Sequence, residues 1–158
     1  MTPDALLQAQ FAALLAEAIG QLERFARLLE DEHEMLLAAQ VDTLLTLADD
    51  KTESVRQLQQ SENARVMLLG RAGIDARAGQ MPRFVETLPE SGKKAWARYL
   101  ELAHNVQTMN QRNGTFIRDQ LRASQQAMAV LLANSGPVLY DADGLSSARP
   151  GGRLFGQA

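Results

Sequence analysis

Not one of the 158 residues is cysteine. Disulfides, thiolate metal sites and a cysteine nucleophile are therefore excluded, and the absence fits a reducing compartment. Aromatic residues are scarce as well, at 5% of the chain with a single tryptophan, which argues against the aromatic-rich strands of sheet proteins. Nor is positive charge in excess: 16 Lys and Arg against 19 Asp and Glu leave a net charge of −3, the wrong sign for attraction to a phosphate backbone. Lys93-Lys94 is the one adjacent lysine pair and the basic residues lack interleaved aromatics, so no nucleic-acid partner is expected. The start, Met1-Thr2-Pro3-Asp4, lacks a basic and then apolar leader, and no run approaches about 18 uninterrupted apolar residues. Neither a secretory signal nor a membrane span is expected, and the reading is of a cytoplasmic protein.

What is present is helix-forming sequence. Leu, Ala, Gln, Glu and Arg dominate a chain that is 46% hydrophobic and 22% charged, enough for one domain with its own core. Thr2 is placed to cap a first helix with Pro3 in its first turn, where a missing N–H costs nothing. Leu7, Phe11, Leu14, Ala18, Leu22, Phe25, Leu29, Glu32 and Leu36 recur at spacings of three and four, predicting one continuous face to about Ala39. Asp42 is the expected cap of a second helix with Leu44, Ala48, Val55, Leu58 and Leu69 on its seam, joined there by Lys51 and Glu62. Gly70, Gly73 and Gly79 break the pattern. A short piece from Pro82 to Leu88 then offers Phe84, Val85 and Leu88 on one face before Pro89.

Ser91 is the expected cap of the last helix, Gly92 to Asn134, whose stripe runs Trp96, Tyr99, Ala103, Val106, Asn110, Asn113, Ile117, Leu121, Ser124, Met128, Leu131. Spacings of three and four throughout predict coiled-coil-like packing. The expected fold is all-α: a long antiparallel helical hairpin or three-helix, coiled-coil-like bundle with a short connector helix. Residues 1–134 would form the bundle domain. From Ser135 on, Gly, Ser and Pro leave little apolar surface to offset the cost of ordering, so 135–158 is expected to be a flexible tail.

Candidate chemistry is thin. Glu30/His33 and Glu101/His104 have the Glu-x-x-His spacing of carboxylate-bridged di-metal bundles. In an up, down, up arrangement the two pairs would lie about 25 Å apart along the axis at 1.5 Å per residue, so no metal or other cofactor is expected. Two histidines on helix faces leave no serine with an evident base and orienter, and no enzyme activity is expected. Gly70-Arg71-Ala72-Gly73 has no preceding strand and reads as a helix breaker. Asn110, Asn113 and Gly114 interrupt the apolar seam. Buried asparagines fix helix register at some cost in stability; alternatively, the helix is uncovered here and receives a partner helix. Leu139 and Tyr140 in the tail could fold back on the bundle, or Tyr140 with Asp141-Ala142-Asp143-Gly144 could be a short docking element with an aromatic anchor and a turn.

These residues carry a resemblance. The long first helix, the stretch Leu44-Leu45-Thr46-Leu47-Ala48-Asp49-Asp50-Lys51, the Trp96 region, the box Asn110-Gln111-Arg112-Asn113-Gly114 followed by Ile117, and Tyr140-Asp141-Ala142-Asp143-Gly144 resemble the FlgN family, export chaperones of bacterial flagellar hook-associated proteins. The family's tail usually reads Tyr-Gly-x-x-Gly, and Asp141 stands here in place of the first glycine. The resemblance implies a non-enzymatic cytoplasmic chaperone of the flagellar type III export pathway. It would hold the C-terminal helices of the hook-filament junction proteins, prevent premature assembly, and act as a monomer when client-bound. A client helix would lie beside Asn110, Asn113, Gly114, Ile117, Leu121, Met128 and Leu131. Tyr140, Asp143 and Gly144 would meet the cytoplasmic domain of the export gate. The competing expectation, from the residues alone, is a structural or adaptor coiled-coil protein that self-associates.

Overall fold

The computed structural model describes residues 2–77 and 79–135. They form four helices, α1 Pro3–Leu37, α2 Val41–Arg71, α3 Met81–Glu86 and α4 Glu90–Ser135, and no strand occurs among the described residues. A compact unit covers Met1–Ile117, and residues 118–158 make a second. The tail from 136 onward lies outside the described residues.

Helix α1 starts as its sequence predicts. Thr2 is extended, and its hydroxyl accepts the Ala5 N–H at 3.2 Å, which satisfies one of the four orphan donors of a helix start. The end has a less obvious cause. Ala39 N–H donates to Leu36 O and Gln40 N–H to Met35 O, with Ala39 at φ 53°, the hydrogen-bond pair of a Schellman motif. That position favours glycine because a Cβ in the left-handed region costs roughly 1–2 kcal/mol; alanine occupies it here, so the sequence carries no stop signal. Helix α2 closes with the same motif: Gly73 N–H donates to Gly70 O and Ile74 N–H to Leu69 O, and here a glycine does take the positive φ.

With the first helix ending two residues early, α2 begins at Val41, and Asp42 sits inside its first turn instead of capping it. Likewise α4 begins at Glu90, one residue before Ser91, with Pro89 O accepting the Lys93 N–H. Both acidic residues still face the partial positive charge of a helix start.

Two apolar clusters fill the first unit. Phe11, Leu15, Leu69, Met81, Phe84 and Leu88 form one, with Trp96 and Tyr99 against it. Leu22, Phe25, Leu29, Leu102 and Val106 form the other. Phe11 anchors three elements, standing edge-on to Phe84 at 4.9 Å between ring centres and 6.0 Å from Trp96. Contacts from Phe11–Trp96 to Leu29–Asn113 rise together in number, so α1 and α4 run parallel. Gln21–Ser61 and Glu32–Lys51 run in opposite senses, so α2 is antiparallel to α1.

The α1 stripe is buried as expected, Leu7, Leu14 and Leu36 only in part. The α2 seam matches the expected one at Leu44, Lys51, Leu58, Glu62 and Leu69 but not at Ala48 and Val55. Leu47, Ser61, Arg65 and Leu69 are its buried residues, with Lys51, Ser54 and Leu58 half-buried between them, whereas Ala48 and Val55 are exposed. Three of its inward positions are held by polar chains with partners. Ser61 donates to the Gln21 side chain at 2.7 Å, Lys51 pairs with Glu32, and the Arg65 guanidinium lies 5.1 Å from the Trp96 ring centre and 5.6 Å from that of Tyr99. Burial pushes the Tyr99 phenol above the usual tyrosine range, with the Arg65 charge opposing the shift.

By length and composition, Asp4–Leu37 could cross a membrane, a property not visible as an uninterrupted apolar run. In the fold its apolar stripe, from Phe11 to Leu29, is the core of the bundle, and a core helix meets the same measure.

Candidate partner-binding surface

Three polar seam residues from three helices meet at one point. Asn113 of α4 is 0% exposed, and its side-chain amide donates to Leu29 O at 2.8 Å and to Glu32 Oε1 at 3.0 Å. Lys51 Nζ of α2 reaches both oxygens of the same carboxylate at 3.1 Å. Glu32, buried, is thus held by a cation on one side and an amide on the other, which is what a buried charge requires. On the outer side, Arg112 lies 3.7 Å from Glu30.

Of the two alternatives for Asn113, its burial agrees with the register-fixing asparagine and not with the groove residue that the resemblance implied: its donors are turned inward and spent on α1. Asn110 departs from the expectation differently. It is exposed, and Met109 takes the seam position beside it. Gly114 is half-buried next to the node. His33 sits alongside, with its ring 6.5 Å from that of Phe116 and its Nδ1 buried without a hydrogen-bond partner among the described residues. His104 is exposed. Among the described residues, no group of three or more His, Asp or Glu could hold a metal ion.

Helix α1 stops little more than a turn past Glu32. Ile117, the last residue of the first unit, is 45% accessible, and in the second unit Leu121 reaches 58%, Met128 57% and Leu131 61%. Val130 and Leu132 are exposed too, and sequence reasoning missed both because it followed a single stripe. Residues 118–134 are all exposed and carry only three charges, Arg118, Asp119 and Arg122. What this segment offers is apolar surface edged by amides and a hydroxyl, far more than a soluble helix leaves uncovered without purpose. Tyr140, Asp143 and Gly144 lie outside the described residues.

The family model described as FlgN protein matches residues 1–148. The chain belongs to the FlgN family. The flagella synthesis protein FlgN of Proteus mirabilis is 27% identical over 128 residues, covering 80% of this chain and 82% of that one. Its counterpart in Salmonella typhimurium (strain LT2) is 36% identical over 52 residues, 33% of this chain and 37% of its own. Among solved structures, a crystal structure described as a flagella synthesis protein FlgN from Pseudomonas aeruginosa is similar with a TM-score of 0.58 and 25% identity, over 78% of this chain and 94% of that chain. The all-α fold expected from periodicity is thus the fold of a FlgN protein, and membership in FlgN places the chain in flagella synthesis.

Proposed function

We propose that this FlgN-family protein is a cytoplasmic export chaperone that captures the C-terminal helices of hook-filament junction proteins on the far half of α4. It keeps those proteins from assembling early and presents them to the export gate. The observation that carries the reading is the exposed stripe of Ile117, Leu121, Met128 and Leu131. Its spacing of three and four suits the apolar face of an amphipathic client helix, and covering both faces at once removes two aggregation-prone surfaces from water.

Calorimetric titration with C-terminal peptides of the two junction proteins tests it. Binding at one to one, with submicromolar affinity and the negative heat-capacity change of apolar burial, is the expected result. Absence of binding by a folded, helical protein would overturn the reading. Delivery is assigned to Tyr140 with Asp143 and Gly144. Tyr140→Ala is expected to weaken binding of the client-loaded chaperone to the export gate's cytoplasmic domain at least about tenfold, the scale of one lost aromatic anchor, without changing client affinity. An unchanged gate affinity would remove Tyr140 from that role.

A further inference from the structure

Asparagine is a chemically fragile residue, most of all before glycine, where no side chain keeps the next peptide nitrogen from reaching the asparagine amide carbon. Of the five asparagines in the chain, only Asn113 is followed by glycine. That pair lies at the node where α4 meets α1. We propose that Asn113 is a latent deamidation site: docking of α4 on α1 shields it, and a chain that has stood open long enough to lose the amide cannot dock α4 again. The inference is independent of what α4 binds.

The reaction needs water alone as co-reactant. The Gly114 nitrogen gives its proton to solvent base and bonds to Asn113 Cγ, the Cγ–Nδ2 bond breaks, and Nδ2 leaves as ammonia. Water then opens the cyclic imide at one of its two carbonyls, giving aspartate or isoaspartate. Three features of the fold block the first step. Gly114 lies inside α4, so its N–H is engaged by the carbonyl four residues back. The helical backbone tilts the Asn113 side chain toward the helix start, away from the Gly114 nitrogen. The side-chain amide is 0% exposed and donates to Leu29 O at 2.8 Å and to Glu32 Oε1 at 3.0 Å, which keeps base and water from it.

Either product is incompatible with the node. In aspartate an oxygen replaces Nδ2, so an acceptor faces the Leu29 carbonyl and the Glu32 carboxylate, and a second negative charge enters a buried site. Lys51 Nζ is already engaged by both Glu32 oxygens. Arg112 Nε lies 3.4 Å from Asn113 Oδ1, on the other oxygen of the new carboxylate, and leaves the opposed pair unrelieved. Isoaspartate adds a methylene to the main chain in mid-helix and puts the hydrogen-bond ladder of α4 out of step across residue 113. Loss of the amide is not reversed by water, so the node closes only on chains that have kept it.

The test holds the full chain at mildly alkaline pH in a guanidinium series and follows a peptide spanning Asn113 by mass spectrometry, which reads the exchange of NH2 for OH. Conversion in buffer should be at least about 100-fold slower than in guanidinium that unfolds the chain, because a packed helix opens rarely. Chains aged in guanidinium and then refolded by dilution should lose native helix content in step with conversion. Asn113→Asp, which encodes one of the two products, should lower the thermal midpoint further than Asn113→Ala, since it adds a buried charge where alanine only removes a donor. A folded chain that converts within about tenfold of the unfolded rate would overturn the shielding. An unfolded chain that does not convert over the same period would remove the site altogether. Converted chains that regain full helix content and the natural midpoint would overturn the block on docking.

Discussion

Replacing Lys51 by methionine will destabilise the bundle by about 3 kcal/mol, and Asn113→Ala by about 2 kcal/mol, because each leaves Glu32 buried with half of its compensation. The Lys51 side chain is 24% exposed and that of Glu32 8%, so water reaches the pair from the lysine side. The lower end of the range of about 3–5 kcal/mol for breaking a buried pair applies for that reason. In thermal unfolding followed by far-UV circular dichroism, the two losses correspond to midpoint shifts of about 6–12 °C and 4–8 °C for a domain of this size. The triple variant Glu32→Leu/Lys51→Met/Asn113→Leu should recover stability to within about 1 kcal/mol of the natural chain, since apolar side chains of similar volume replace a buried ion pair with little net cost. Asn113→Ala with an unchanged midpoint would mean that the node does not hold α4 against α1. Single and multiple variants must be compared as a cycle, because the three residues share one carboxylate and their effects do not add.

The same node shows what could and could not be seen without coordinates. Each of its members stood on an apolar stripe in the sequence, Glu32 on α1, Lys51 on α2 and Asn113 on α4, and a polar residue at a seam position is the signal that a partner awaits it. Which three would meet was not legible, because that depends on the relative slide of helices, and helical periodicity is blind to slide. The α1 stripe was read correctly because its inward positions are almost all apolar. On α2 the inward positions Ser61 and Arg65 are polar and were passed over, while apolar Ala48 and Val55 were taken into a seam that otherwise holds at Leu44, Lys51, Leu58 and Leu69. Ala39 in a position that favours glycine hid the hairpin turn and displaced the expected cap to Asp42. On α4, Asn110 and Asn113 looked equivalent by spacing, and only burial separates them. The stripe beyond Ile117 was legible as apolar periodicity, but periodicity does not say whether a neighbour covers it.

Leu121→Asp is expected to weaken binding of the junction-protein peptides at least about 100-fold, because a leucine buried on binding contributes roughly 1.5–3 kcal/mol and a carboxylate left in its place adds a desolvation cost. Leu121 is already exposed in the free protein, so helix content and melting temperature should not change. Ile117→Asp separates the two roles that meet at the end of the bundle. Ile117 is 45% exposed, so about half its surface packs within the first unit, and the substitution should cost about 1 kcal/mol of stability as well as binding. Val130→Asp is the control: nine residues from Leu121 puts it half a turn away at 100° per residue, exposed but off the stripe, and it should bind as the natural chain does. A Leu121→Asp protein that binds normally, beside a Val130→Asp protein that does not, would move the client to the other side of α4. Equal losses from both would mean that the client wraps the helix instead of lying along one face, and a surface without a preferred side would offer no geometric basis for choosing one client helix over another.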